Sequence, residues 1–197
     1  MNFLAHVYLS YNKEKLILGN FMGDFVKGNN FINYEKSIQD GILLHRAIDN
    51  YTDHHPVVLQ SKDKLRDKYR HYSGVIIDIF YDHFLAADWT LYHDTPLAEF
   101  AQTVYYILDK HQEILPPKAL HMLPYMIEGN WLLNYASKKG IYSALYGMSR
   151  RTKFPSKMDE SIDELEIYYD DFKEEFRLFF PDIQDFASQW LKDNTTN

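Results

Sequence analysis

The sequence predicts an all-α, single-domain helical bundle, and three observations predict it. Apolar residues recur at threes and fours along most of the chain. Gly and Pro are few, 8 and 7 of 197 residues, which leaves little turn material for an all-β fold. Hydrophobic residues make up 46% of the chain, enough for one domain over residues 1–197 to bury a core without staples. No internal repeat, low-complexity tract or linker interrupts it.

The elements follow in order. A short helix is expected from Phe3 to Leu9 and another from Lys15 to Phe25, with a turn at Gly28 to Asn30. A long helix should run from Tyr34 to Tyr51. Pro56 suits the first turn of the next helix, up to Tyr69. Another covers Tyr72 to Tyr92, and Pro96 opens one that reaches Ile114. Pro116 and Pro117 break the pattern. Further helices fit Ala119 to Ala136, Ile141 to Met148, Met158 to Phe180 and Ile183 to Leu191. In the Met158 segment, Ile162, Leu165, Tyr169, Phe172, Phe176 and Phe179 form one stripe, while Glu164, Asp171, Glu174 and Glu175 fall mostly elsewhere. That is an amphipathic packing helix with no assigned chemistry.

Composition narrows the function. The net charge of −7 argues against general nucleic-acid binding. There is no cysteine, so any metal would need His, Asp and Glu ligands. The stretch Met1 to Tyr11 has no basic start and no long apolar run, so neither a signal peptide nor a membrane span is expected, and the cytoplasm is the expected location. The charge is unevenly spread. Between Gly129 and Met158 there is no acidic residue, while Lys138, Lys139, Arg150, Arg151, Lys153 and Lys157 all fall there. Such a patch suits an anionic partner or simply a solvated face.

Polar residues also stand on apolar stripes. Ile38, Ile42, His45 and Asp49 follow at fours and threes, which puts His45 and Asp49 on a core-facing stripe, one turn apart. Val75, Asp78, Asp82, Leu85 and Trp89 form a second stripe, with His83 beside Asp82. Asp24 ends the apolar run from Leu16 to Gly23, and His6 lies inside Phe3 to Val7. Ionised carboxylates on such faces are costly unless a cation compensates them. Taken singly, each residue has a plain reading: a hydrogen-bonded core histidine, an Asp49–Arg46 pair, a turn cap at Asp24. Together, His6, Asp24, His45, Asp49, Asp78, Asp82 and His83 predict a site for a divalent metal such as Mn, Fe, Mg or Zn. Such a metal would activate water and stabilise charge on a phosphoryl oxygen. Arg46 could contact that phosphate, or form a surface ion pair. No Gly-rich phosphate loop, His-Glu-x-x-His or Gly-x-Ser-x-Gly is present. His54-His55 precedes Pro56 and reads as loop.

The same segments resemble the acyl carrier protein phosphodiesterase family. They are Met1-Asn2-Phe3-Leu4-Ala5-His6, Gly19 to Gly28, Gly41 to Asp49, Tyr51-Thr52-Asp53 and Asp78 to Leu85, with Met148-Ser149-Arg150-Arg151 and the aromatic last helix further on. The resemblance implies a helical fold like that of HD-domain metal phosphohydrolases. It implies hydrolysis of the phosphodiester joining 4′-phosphopantetheine to a serine of holo acyl carrier protein. It also implies a divalent cofactor, Mn2+ first, with Mg2+ or Fe2+ as alternatives. Asp24 matches the family's essential Asp, and His6, His45, Asp82 and His83 match positions that look like further ligands. Asp49 and Asp78 are assigned as outer partners or proton carriers. The adjacent pair runs Asp82-His83, the reverse of the order that names the HD superfamily, and Gly23 stands where many relatives are expected to carry Ala. Because carrier proteins are strongly acidic, Lys138, Lys139, Arg150, Arg151 and Lys153 become the expected docking face, with Lys62 to Arg70 a weaker candidate. Two other readings keep part of this picture: a phosphohydrolase acting on a small phosphoester or nucleotide, and a non-enzymatic helical interaction protein.

Overall fold

A computed structural model describes residues 1–195. The chain forms α1 (Phe3–Tyr8), α2 (Glu14–Met22), α3 (Lys36–His54), α4 (Pro56–Tyr69), α5 (Ser73–Ala87), α6 (Leu97–Lys110), α7 (Pro117–Glu128), α8 (Trp131–Asn134), α9 (Lys138–Ser149), α10 (Ile162–Ile167) and α11 (Tyr169–Asn194). Single 3-10 turns link several of them, including Gly23–Phe25 after α2. No strand occurs among the described residues, so the all-α expectation holds. No helix among them is long and apolar enough to cross a membrane.

Helix α5 is the hub. Every residue from Ile79 to Ala86 is buried, and α1, α4, α9 and α11 all pack on it. Helix α11 crosses α3, α4 and α5 and buries Phe172, Phe176, Phe179 and Phe180. Each such ring contributes about 1.5–3 kcal/mol by leaving water.

The pairing that positions the site is α2 against α3. Gly19 and Gly41 face each other there. A Cβ on Gly19 would lie 2.2 Å from the Ile38 carbonyl oxygen, and one on Gly41 would lie 2.6 Å from that of Leu16. Only glycine permits this approach, and it brings the Asn20 backbone against α3.

Several boundaries differ from the periodicity reading: α3 runs on to His54, which reads as loop in the sequence, α5 stops at Ala87 and α6 at Lys110, and three differences are larger. Ala119 to Ala136 is two helices, because Gly129 and left-handed Asn130 (φ 42°) end α7 as a helix C-terminus commonly ends. Met158 to Phe180 is interrupted at Tyr168. Conversely, α11 runs through Pro181 instead of ending before Ile183. A proline inside a helix costs ~3 kcal/mol. Buried Phe179 and Phe180 on one side and Ile183 and Ala187 on the other keep both halves docked and outweigh it. Glu175, placed off the apolar stripe by its spacing, is buried.

Candidate metal centre

Three helices deliver the cluster: α1 brings His6, α2 brings Asn20, and α3 brings His45 and Asp49. The two imidazoles stack, with centroids 3.9 Å apart and 15° between planes. Asn20 sets their protonation. Its amide nitrogen donates to the His6 carbonyl at 2.7 Å and to Ser10 Oγ at 3.2 Å. Its side-chain oxygen therefore accepts from His6 Nδ1 at 2.8 Å. The Asn20 backbone carbonyl accepts from His45 Nδ1 at 2.7 Å. Both Nδ1 atoms must carry hydrogen, which leaves both Nε2 atoms to face outward.

What they face is carboxylate. His6 Nε2 lies 3.1 Å from Asp49 Oδ1, and His45 Nε2 lies 3.1 Å from Asp49 Oδ2. Asp24 Oδ1 is 3.4 Å from the same His45 nitrogen. A neutral imidazole here would turn a lone pair on an anion, so the arrangement calls for a cation between them, a proton or a metal. Donor atoms of His6, His45 and Asp49 lie within 4.8 Å of one another, close enough to share an ion.

The electrostatics agree. Burial alone would lower the His45 pKa, but hydrogen bonds that its imidazolium donates to Asp24 and Asp49 outweigh it and raise it to about 9. Burial, with the neighbouring His45 charge, lowers that of His6. Burial works to raise the Asp49 pKa, yet its two histidine partners hold it well below the usual carboxylate range. The hydrogen bond to His45 lowers that of Asp24, against the desolvation it undergoes beside the cluster.

The structure gathers His6, Asp24, His45 and Asp49 and sends the other sequence-predicted residues elsewhere. Asp82 is fully buried, and its carboxylate accepts the N–H groups of Asn2 (3.3 Å), Leu4 (2.8 Å) and Ala5 (3.2 Å). It caps the start of α1 from a distance, supplying the acceptor that a free helix end lacks. His83 donates from Nδ1 to the Tyr135 carbonyl at 2.8 Å and accepts from the Tyr169 hydroxyl at 3.0 Å. Both of its nitrogens are occupied away from the cluster. Asp78 accepts from the Met1 amino group at 2.9 Å, which also lies 3.9 Å from Asp49. Arg46 neither pairs with Asp49 nor reaches the cluster. Its guanidinium donates to the Val26 and Gly28 carbonyls, both at 2.8 Å, and lies over the Phe31 ring, which pins the segment after Asp24. Asp49, expected in an outer role, bridges the Nε2 atoms of the two stacked imidazoles.

Two contributors had no role assigned to them by the sequence reading. Asn20 was visible only as one amide inside an apolar run. Gly23 provides the seat for His45: a Cβ there would lie 2.1 Å from the imidazole Cγ.

Asp24 is exposed, and it opens on a cleft of about 760 Å³ walled mainly by α8 and α9. Of the basic stretch, Lys139 and Arg151 line this cleft. Lys138 pairs with Glu166 and lies over the Tyr169 ring. Arg150 and Lys153 lie over the rings of Tyr146 and Phe154. Among the described residues, Lys139, Arg150, Arg151 and Lys153 form no ion pair with a carboxylate.

Comparison with known proteins gives a consistent set. A family model described as acyl carrier protein phosphodiesterase matches residues 1–183. A protein of that name from Photorhabdus laumondii is 35% identical over 182 residues, covering 92% of each chain. One from Escherichia coli is 33% identical over 193 residues, covering 96% of this chain and 98% of its own. One from Pectobacterium atrosepticum is 33% identical over 188 residues, covering 95% and 97%. No solved structure matches, so the likeness to HD-domain folds finds no structural neighbour.

Proposed function

The chain belongs to the acyl carrier protein phosphodiesterase family, and from that premise we propose that it hydrolyses the phosphodiester between 4′-phosphopantetheine and the serine of holo acyl carrier protein. The products are apo carrier protein and free 4′-phosphopantetheine. The enzyme is thus a phosphoric diester hydrolase. We further propose that the reaction depends on a divalent metal, Mn2+ first and Mg2+ or Fe2+ as alternatives.

The observation that carries the metal reading is the pair of imidazoles whose Nε2 atoms both face Asp49. Asn20 holds each ring in the tautomer that leaves Nε2 free to bind. His6, His45 and Asp49 are the proposed ligands, and Asp24 approaches from the open side. Nitrogen and carboxylate donors without thiolate suit Mn, Fe and Mg. A bound divalent ion would acidify a water and draw charge from the phosphoryl oxygens. Asp24, ionised and facing the cleft, is placed to take the proton of the attacking water. The P–O bond to the carrier serine breaks, and the proton held by Asp24 passes to the leaving serine oxygen, which restores the carboxylate.

The partner is acidic and the enzyme carries −7, so approach needs a local basic face. Lys139, Arg150, Arg151 and Lys153 beside the cleft supply it. A small phosphoester remains the second reading, because the cleft alone could hold one.

A mass-resolved assay decides between them: purified enzyme, holo carrier protein and Mn2+, beside the Asp24→Ala variant. Loss of one phosphopantetheine mass with the wild type and not with the variant is expected. Run at two ionic strengths, KM should rise with salt while kcat stays level. An unchanged carrier mass with every divalent metal would defeat the carrier-protein reading, and a KM indifferent to salt would remove the docking face.

A further inference from the structure

Asp24 both approaches His45 and lines the cleft, so the cleft is continuous with the cluster. Beyond Asp24, Trp131, Ala144 and Met148 give it apolar wall, while Lys139 and Arg151 give it hydrogen-bond donors. Gly147 leaves that wall recessed. A Cβ built there meets nothing nearer than Arg151 Nη2, at 3.6 Å. The volume, about 760 Å³, falls within the ~300–1,000 Å³ usual for small-molecule sites. It is far too small for a folded domain.

We infer that this cleft receives the slim arm of the phosphodiester substrate, a neutral chain of methylenes and amides ending in a thiol, while the carrier domain stays outside on the basic rim. The assignment rests on the phosphodiesterase reading above. A phosphodiester carries two substituents. One is the serine of a folded domain, which must remain at the surface. The other leaves the same phosphorus, which has to sit within reach of Asp24, and the cleft is the enclosed space that opens there. The apolar wall covers methylene and methyl groups. The donors pair amide carbonyls, which would otherwise lose their water partners on entry. Asp24 is the one acidic residue among those lining the cleft, against Lys139 and Arg151, so a cationic tail does not fit.

Gly147→Phe tests this by filling the cleft from a helix position where a side chain replaces a poor helix former. Gly147→Ala, which adds one carbon in open space, is the graded control, and thermal unfolding checks that both fold. Calorimetry with free pantetheine should show binding to the wild type and to Gly147→Ala. Binding to Gly147→Phe should weaken by about tenfold or more, and KM for holo carrier protein should rise in parallel. Equal pantetheine affinity in the wild type and a folded Gly147→Phe would overturn the assignment. So would carrier-protein turnover with no pantetheine binding to the wild type, and that result leaves the hydrolase reading standing. A wild type that binds pantetheine but leaves holo carrier protein intact would defeat the hydrolase reading while supporting the chemistry assigned to the cleft.

Discussion

Around Glu175, where α4, α5 and α11 meet, each polar atom finds its complement. Lys64 and Ser61 donate to the two carboxylate oxygens, and Tyr81 shares a 2.7 Å hydrogen bond with Ser61. Asp82 is likewise closed by three backbone N–H groups. Around Asp49 the pattern inverts. Two imidazole nitrogens, each left without hydrogen in its neutral form, converge on one carboxylate while Asp24 adds a second. The first kind of burial finds its hydrogen-bond partners within the protein itself, although burial still pushes the Asp82 pKa up to about 7. The second is complete only with a cation. Burial of a carboxylate therefore does not mark a functional site; convergence of acceptors on acceptors does.

The sharpest way to break the comparison is Asp49→Ala. If Asp49 holds the ion, turnover falls on the order of 10³-fold and metal binding by calorimetry is lost, while the metal-free protein loses only the stability that the Asp49–histidine contacts supply. Turnover within a few fold of wild type would return Asp49 to the outer role.

Asp82→Ala should do the reverse. It orphans buried N–H groups at the start of α1 and should cost ~2–4 kcal/mol, seen as a lower urea midpoint, while the folded fraction still binds metal. Lost metal binding at unchanged stability would restore Asp82 as a ligand.

Gly23→Ala joins the two kinds of effect. Its methyl group overlaps the His45 ring, so overpacking should cost ~1–3 kcal/mol. Displacement of the ligand should weaken metal binding about 10–100-fold. A variant with native affinity would show that His45 can retreat without loss.

The smallest effect is on pH. The folded protein holds the His45 proton more tightly than the unfolded chain, with a pKa of about 9 against 6.5. Between those values the folded state binds more protons, so this group's stabilisation is whole below pH 6.5 and fades as pH rises through about 9. Asp24 and Asp49, both depressed, add stability above their unfolded value of 3.8 and lose it only in acid. Denaturant titrations of metal-free protein should show stability declining from pH 6.5 to about 9, with saturating Mn2+ flattening the decline because the ion replaces the proton. A flat profile without metal would mean that His45 is neutral there.

The sequence by itself determined the helical class, most of the elements, and a set of His and Asp residues on apolar faces, because a 3.6-residue period exposes which side of a helix is buried. It also carried the family resemblance, on runs such as Gly41 to Asp49. It could not divide the set. His45 and Asp82 look alike on their helical wheels, and both are buried. One faces carboxylates and the other caps the start of α1, a difference that depends on which helix end or ring arrives from a distant part of the chain. Arg46 likewise read as a phosphate contact or a surface ion pair, and its partners proved to be the carbonyls of Val26 and Gly28. Asn20, Gly19 and Gly41 show the same limit: their roles lie in how closely α2 meets α3. Periodicity tells a side chain which way to point, and only the tertiary structure decides what it meets there.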